Sequence, residues 1–227
     1  SLVFNKPLIP VNHLIGHVYA NWLGHSGDYP VFPAIALIVS GGHTDLLFIK
    51  NHGSFQWLGG TLDDAAGESF DKVARILNLK YPGGPEIEKL SKHADKKNHY
   101  FNFPSPMINS GNFDFSFSGL KTSALSWSQK IESLNTSQVA FEFQDSVVKV
   151  LAKKTIAAAK KFKAKSILVG GGVAANQVLR DNLFHESKKN NLECFFPEKK
   201  YSVDNGAMIA SAAFFCFKKK GPLKVQS

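Results

Sequence analysis

Apolar positions along this chain fall into short unbroken runs and longer stretches with helical spacing. Ala34 to Val39 reads Ala-Ile-Ala-Leu-Ile-Val with no polar break, the pattern of a strand covered on both faces. A Gly-Gly turn follows, and Asp45 to Lys50 predicts the hairpin partner, with Phe55 to Leu58 a further strand. Ser166 to Val169 and Glu193 to Phe196 predict two more strands, and Pro7 to Val11 a short one near the start. Between Thr61 and about Leu79 the spacing is helical. Asp64, Glu68, Asp71 and Arg75 share one face there, and Ala66, Phe70, Val73, Ala74 and Leu77 the other. Thr61 and Asp64 stand in a capping-box arrangement at its start.

Asn12 is placed to cap a helix running to about Leu23. Ser137 to Lys163 predicts one long amphipathic helix, and Asn205 to Phe217 a buried apolar one. Tyr81-Pro82-Gly83-Gly84-Pro85 predicts a sharp loop, with Pro85 well placed to begin a helix. Ser91 to Ser118 reads as loop, and Gly170-Gly171-Gly172 leads into a helix from about Ala174. Alternating strands and helices make an α/β fold the expectation.

Composition narrows this picture. At 227 residues the chain fits one large domain or two small ones, and 44% hydrophobic with 20% charged residues is ordinary for a globular protein. No run approaches the roughly 18 apolar residues of a membrane span. Ser1 to Pro10 lacks the pattern of a signal peptide. Cys194 and Cys216 sit in aromatic runs and read as buried free thiols, which makes the reducing cytoplasm the expected location. The net charge is +9, from 27 Lys and Arg against 18 Asp and Glu. Much of the excess lies in Lys153-Lys154, Lys160 to Lys165, Lys188-Lys189, Lys199-Lys200 and Lys218 to Lys220. Each patch alone reads as a solvated helix face, but together they suit nucleic acid or a phosphorylated substrate.

Three constellations carry chemistry. His13 and His17 stand four residues apart, so on a helix their imidazoles can converge on one cation. The zinc-protease motif has this spacing with Glu after the first His; here that position is Leu14. Ser40-Gly41-Gly42-His43-Thr44 lets backbone amides approach a ligand, and is equally a plain hairpin turn. Gly170-Gly171-Gly172-Val173-Ala174-Ala175 satisfies the loose dinucleotide fingerprint, with Asn176 in the first helical turn able to donate to a ribose or phosphate. It comes too late in the chain for a second mononucleotide half. Asp204 precedes an apolar helix, which fits an N-cap, and is also a good third ligand beside two histidines.

Seven segments in order carry a resemblance: His13-Leu14-Ile15-Gly16-His17, Ile38 to Thr44, Asp63 to Lys72, Tyr81 to Pro85, Phe115 to Thr122, Gly170 to Asn176 and Asp204 to Met208. Together they resemble the TsaD/Gcp family, which forms threonylcarbamoyladenosine in tRNA and was once labelled an O-sialoglycoprotein endopeptidase. The resemblance implies the two-lobed actin/sugar-kinase/Hsp70-like (ASKHA) fold, with a nucleotide in the cleft. It implies an acyltransferase that moves the threonylcarbamoyl group from threonylcarbamoyl-AMP to N6 of adenosine 37 in tRNAs reading codons that begin with A. His13, His17 and Asp204 would hold one divalent metal, iron or zinc. Ile38, Val39, Ser40, Gly41 and Gly42 would contact the adenylate, and Asp71, Gly84, Asn176 and Glu88 its nucleoside end. No general base stands out beyond His43 as a candidate.

The resemblance further implies tRNA, the paralogue TsaB and the ATPase TsaE as partners. It divides the chain into residues 1–33, a metal-binding helix and remnant of the N-terminal lobe; 34–217, a C-terminal nucleotide-binding lobe with a helical insertion; and 218–227, a flexible basic tail. The family's first lobe, with its phosphate loop, is missing from this sequence, so the chain alone is expected to be inactive or nearly so. A metalloprotease and a non-catalytic ASKHA scaffold are the alternatives.

Overall fold

A computed structural model describes residues 8–24, 27, 29–130 and 136–221. Its centre is a five-stranded sheet in the order β3-β2-β1-β4-β5. The strands are β1 Ala34–Val39, β2 Thr44–Asn51, β3 Ser54–Gly60, β4 Ser166–Gly170 and β5 Glu193–Phe195. β1, β2 and β3 form an antiparallel meander, whereas β4 and β5 run parallel to β1. All six residues of β1 are buried, as its unbroken apolar run requires for a strand with neighbours on both edges and layers on both faces.

The two faces divide by alternation. Ile35, Leu37 and Val39 join the large core with α2 (Ala66–Ile76) and α5 (Thr136–Lys161). Ala34, Ala36 and Ile38 pack with Val18 and the half-buried Leu14 of α1 (His13–Tyr19). α3 (Gly83–Ser91) and α4 (Ser118–Lys130) complete the first layer with α6 (Gln177–Lys189). α7 (Lys199–Ser202) is a single turn, and α8 (Gly206–Lys220) packs on α1. No helix among the described residues is long and apolar enough to cross a membrane.

Most predicted elements stand within a residue or two, and several do not. Residues 8–12 lead into α1 without forming a strand. The helix expected from Thr61 begins at Ala66, because its first donors are satisfied from a distance. Ala66 N–H donates to the buried Thr44 hydroxyl (2.9 Å) and Gly67 N–H to the Ser40 carbonyl (3.1 Å). Thr61 instead closes a turn, its hydroxyl donating to the Asp64 carbonyl at 2.7 Å. α3 starts at Gly83, which leaves Pro85 in the first turn. The apolar pattern does not predict α4. The tail expected from Lys218 is helical through Lys220, and residues 222–227 lie outside the described residues. Both cysteines are free and half-buried, and burial pushes the Cys194 thiol up to about 12.

Lys154 corrects the reading of the basic patches. It is 3% exposed, and its ammonium donates to Ser110 Oγ (2.9 Å), the Asn112 carbonyl (3.2 Å) and the Asp114 carbonyl. This lysine holds a loop and is not part of an anion-tracking face.

Asp63 secures the start of α4 from 54 residues away. Its carboxylate accepts from Phe117 N–H (2.8 Å), Ser118 N–H (3.3 Å) and the Ser116 and Ser118 hydroxyls (both 2.6 Å). Burial pushes its carboxyl up, but these four donors outweigh that and hold it below the ordinary 3.8. A carboxylate held below its unfolded value stabilises the fold above that value and loses its contribution as pH falls through the folded one. The gap in unfolding free energy between wild type and Asp63→Ala should therefore close as pH drops from about 5 to about 2. Urea titrations at each pH check this; a gap that stays constant would assign the effect to packing alone.

Candidate metal and nucleotide site

The site begins with the cap of α1. Asn12 Oδ1 accepts from Leu14 N–H (2.9 Å) and Ile15 N–H (3.3 Å), so the helix starts at His13 and repeats it one turn on at His17. Gly16 faces α8, where an added Cβ would lie 2.8 Å from Ile209 Cδ1. That close approach brings the α7–α8 connection over the histidines.

The N-cap of α8 is Asn205, not Asp204. Asn205 Oδ1 accepts from Met208 N–H (2.9 Å), and its amide donates to the Val203 carbonyl (2.8 Å). Asp204 is left to turn toward α1. Its Oδ1 lies 3.3 Å from His13 Nε2 and 3.1 Å from His17 Nε2, and the two rings meet edge to face at 4.9 Å. The three side chains form the one cluster of metal-ligating groups among the described residues.

Exposure differs sharply across the trio: the His17 side chain is 3% exposed and that of Asp204 74%. Burial first, and then neighbouring His13, push the His17 imidazole below its ordinary 6.5, against the opposing pull of Asp204. His17 is thus neutral at pH 7, the state a ligand nitrogen needs. Its Nδ1 is buried without a hydrogen-bond partner, so Nε2, facing Asp204, is its working atom. Two imidazole nitrogens and a carboxylate oxygen suit zinc or ferrous iron, with an open side toward solvent.

A cleft of about 510 Å³ is lined by Val203, the residue before Asp204, and by Gly41, two residues before His43. Gly171 precedes the lining residue Gly172. With φ +93° it takes a backbone conformation that side chains rarely adopt, and its Cα packs against the Val39 carbonyl where no Cβ fits. The β4 turn is thereby pressed onto the end of β1. Gly41, Gly84 and Gly172, all at the cleft, have open space where a Cβ would stand.

The structure gathers five of the expected nucleotide contacts at this cleft: Gly41, Asp71, Gly84, Glu88 and Asn176. Ile38 and Val39 are wholly buried in β1, so their side chains belong to the core. Ser40 and Gly42 flank the lining without joining it; the Ser40 hydroxyl accepts from His43 N–H at 3.1 Å. Asp71 Oδ1 accepts from Gly83 N–H (2.7 Å) and so ties α2 to α3. Asn176 is the N-cap of α6 rather than part of its first turn, its Oδ1 accepting from Leu179 N–H at 2.9 Å. His43 is exposed, and close enough for its charge to depress His17. Sequence reasoning missed Tyr81, Lys89, Lys92 and Lys199 in the lining. The i, i+3 spacing of Lys89, in the last turn of α3, and Lys92, its C-cap, was the signal available.

A family model described as TsaD, tRNA N6-adenosine threonylcarbamoyltransferase, matches residues 1–211. Proteins of that name are similar to this chain. That of Thermosipho africanus is 49% identical over 221 residues, covering 96% of this chain and 66% of its own length. Those of Staphylococcus saprophyticus and Thermosipho melanesiensis are 46% and 47% identical, covering 63% and 68% of their lengths. The chain therefore spans about two thirds of these relatives. Among solved structures, full-length HypF superposes with a TM-score of 0.69 at 15% identity, over 95% of this chain and 43% of that one. The activator of 2-hydroxyisocaproyl-CoA dehydratase from Clostridium difficile gives 0.50 at 15% identity, over 94% and 71%. These likenesses show the fold, which is of ASKHA type. The chain belongs to the tRNA N6-adenosine threonylcarbamoyltransferase (TsaD) family.

Proposed function

We propose that this chain carries the metal and nucleoside side of a threonylcarbamoyl transfer to tRNA. The observation behind this reading is the convergence of His13, His17 and Asp204 at the rim of a cleft lined by Gly41, Asp71, Gly84, Glu88 and Asn176. The acceptor N6 of adenosine 37 attacks the carbamoyl carbon of threonylcarbamoyl-AMP; the bond to phosphate oxygen breaks, AMP leaves and the amine loses a proton. His13, His17 and Asp204 would hold a divalent cation, which when bound would supply polarisation of a carbonyl or phosphoryl oxygen. The open backbone at Gly41 and Gly42 receives the adenylate, and Lys89, Lys92 and Lys199 offset its phosphate charge. His43, on the turn beside the histidine pair, is the group we place on the departing proton. Most of the acceleration then comes from positioning an activated donor against the RNA amine.

The protease alternative lacks its base, since half-buried Leu14 packs into the sheet face where that motif has Glu. We assign tRNA as substrate, TsaB and TsaE as partners, and the cytoplasm as location. Because relatives are about half as long again, we assign turnover to the full-length arrangement. Label transfer from threonylcarbamoyl-AMP into a tRNA transcript, with a full-length relative as reference, tests this alongside AMP titration of the zinc-loaded chain. The chain is expected to bind AMP and to turn over far more slowly than the reference. Absence of AMP binding removes the nucleoside assignment; equal rates remove the division of labour.

A further inference from the structure

Gln144 is a polar residue on the buried side of α5, 1% exposed, between Phe143 and Val147. Burying an amide is unfavourable unless its groups are paired. Here both are paired: one partner, Asn176, lines the cleft, and the other, Ser91, ends α3, the helix that carries Gly84 and Glu88 to it. Gln144 Oε1 accepts from Asn176 Nδ2 at 2.8 Å, and Gln144 Nε2 donates to Ser91 Oγ at 3.0 Å. Ser91 Oγ in turn donates to the Glu88 carbonyl at 2.9 Å, and Asn176 Oδ1 accepts from Leu179 N–H at 2.9 Å. Four hydrogen bonds thus run in one direction from the start of α6, through α5, to the end of α3.

A run with one direction has one consistent arrangement. Turning the Asn176 amide over would set its NH2 against Leu179 N–H and its oxygen against Gln144 Oε1, two repulsive contacts in place of two bonds. The Leu179 N–H thus sets the sense of the run, and Gln144 holds Asn176 in it and ties the α6 N-terminus to α3, which carries Gly84 and Glu88. A further tie at the cleft mouth, Gln177 N–H to Glu88 Oε2 at 3.3 Å, is exposed and long. We propose that Gln144 is a positioning residue of the cleft: it touches no ligand and sets the width and polarity of the pocket that receives the adenosine end of the nucleotide. This rests on the reading of the cleft as a nucleotide site.

Gln144→Met keeps length and apolar volume while removing both bonds. Calorimetric titration with AMP and chelator competition for zinc would be run on the whole chain. AMP affinity is expected to fall about tenfold with zinc affinity unchanged, since the buried Asn176 amide is left without its acceptor at the cleft wall and Ser91 Oγ keeps only its bond to the Glu88 carbonyl. Ser91→Ala, which severs only the α3 end, is expected to shift AMP affinity in the same direction by less. Val148→Ala, one turn along α5, reports what lost packing alone does and should leave AMP affinity near wild type. The proposal is overturned if Gln144→Met binds AMP within about twofold of wild type, or if it and Val148→Ala weaken AMP binding equally. Should Gln144→Met fail to fold, unchanged AMP affinity in Ser91→Ala overturns it. A wild-type chain that binds zinc but no AMP would fail the nucleotide reading itself, a result distinct from these.

Discussion

Asp204→Ala is expected to lower the affinity of the chain for zinc by about 10²–10³-fold. A structural zinc site is worth roughly 10–16 kcal/mol in all, so one ligand of four carries about 3 kcal/mol. His17→Ala should cost as much, because its neutral, buried Nε2 has a fixed direction toward Asp204 at 3.1 Å. The two variants differ without metal. Asp204 is exposed, so Asp204→Ala should leave the metal-free chain within about 0.5 kcal/mol of wild type. His17 is 2% exposed, so His17→Ala also opens a hole under α1. Zinc should therefore raise the melting temperature of wild type with concentration and leave that of Asp204→Ala unmoved. Metal analysis after dialysis reads the same point directly; wild-type stoichiometry in Asp204→Ala would remove that residue from the site.

Gly171→Ala is expected to destabilise the fold by about 3–4 kcal/mol. The first contribution is backbone strain, about 1–3 kcal/mol for a side chain at φ +93°, ψ 166°. The second is overpacking, because the new Cβ meets the Val39 carbonyl in a strand whose residues are all buried. Gly172→Ala is the matched control: its φ is not in the left-handed region and the space around it is open, so its cost should stay under about 1 kcal/mol. Urea unfolding of the pair measures the difference. Similar midpoints would mean that the β4 turn does not need glycine where it meets β1.

The strands and long helices were legible because one face or both faces of each carry an apolar pattern that only burial explains. β1 and α5 are the clear cases, with runs of buried residues at period one and near 3.6. The ends of elements were less so, since a cap can come from anywhere. Thr61 and Asp64 have the local spacing of a capping box, yet Thr44 and Ser40 cap α2 from the β1–β2 hairpin. Asp204 and Asn205 are both good caps by type, and the helix uses Asn205. α4 carries only a weak apolar periodicity, and its start is secured by Asp63.

The candidate site shows the same division. Residue types and spacing within α1 determined that His13 and His17 could act together, because four residues on a helix is one turn. The glycines marked where backbone would be open, because only they lack a Cβ. Tertiary structure alone decided that Asp204 faces the histidines, since that needs Gly16 to admit α8 and Asn205 to take over the cap. It alone turned Lys154 from a surface charge into a buried tether, and made a cross-cleft tie of Gln144. A sequence states which groups a segment offers; which of them meet depends on packing between segments far apart in the chain.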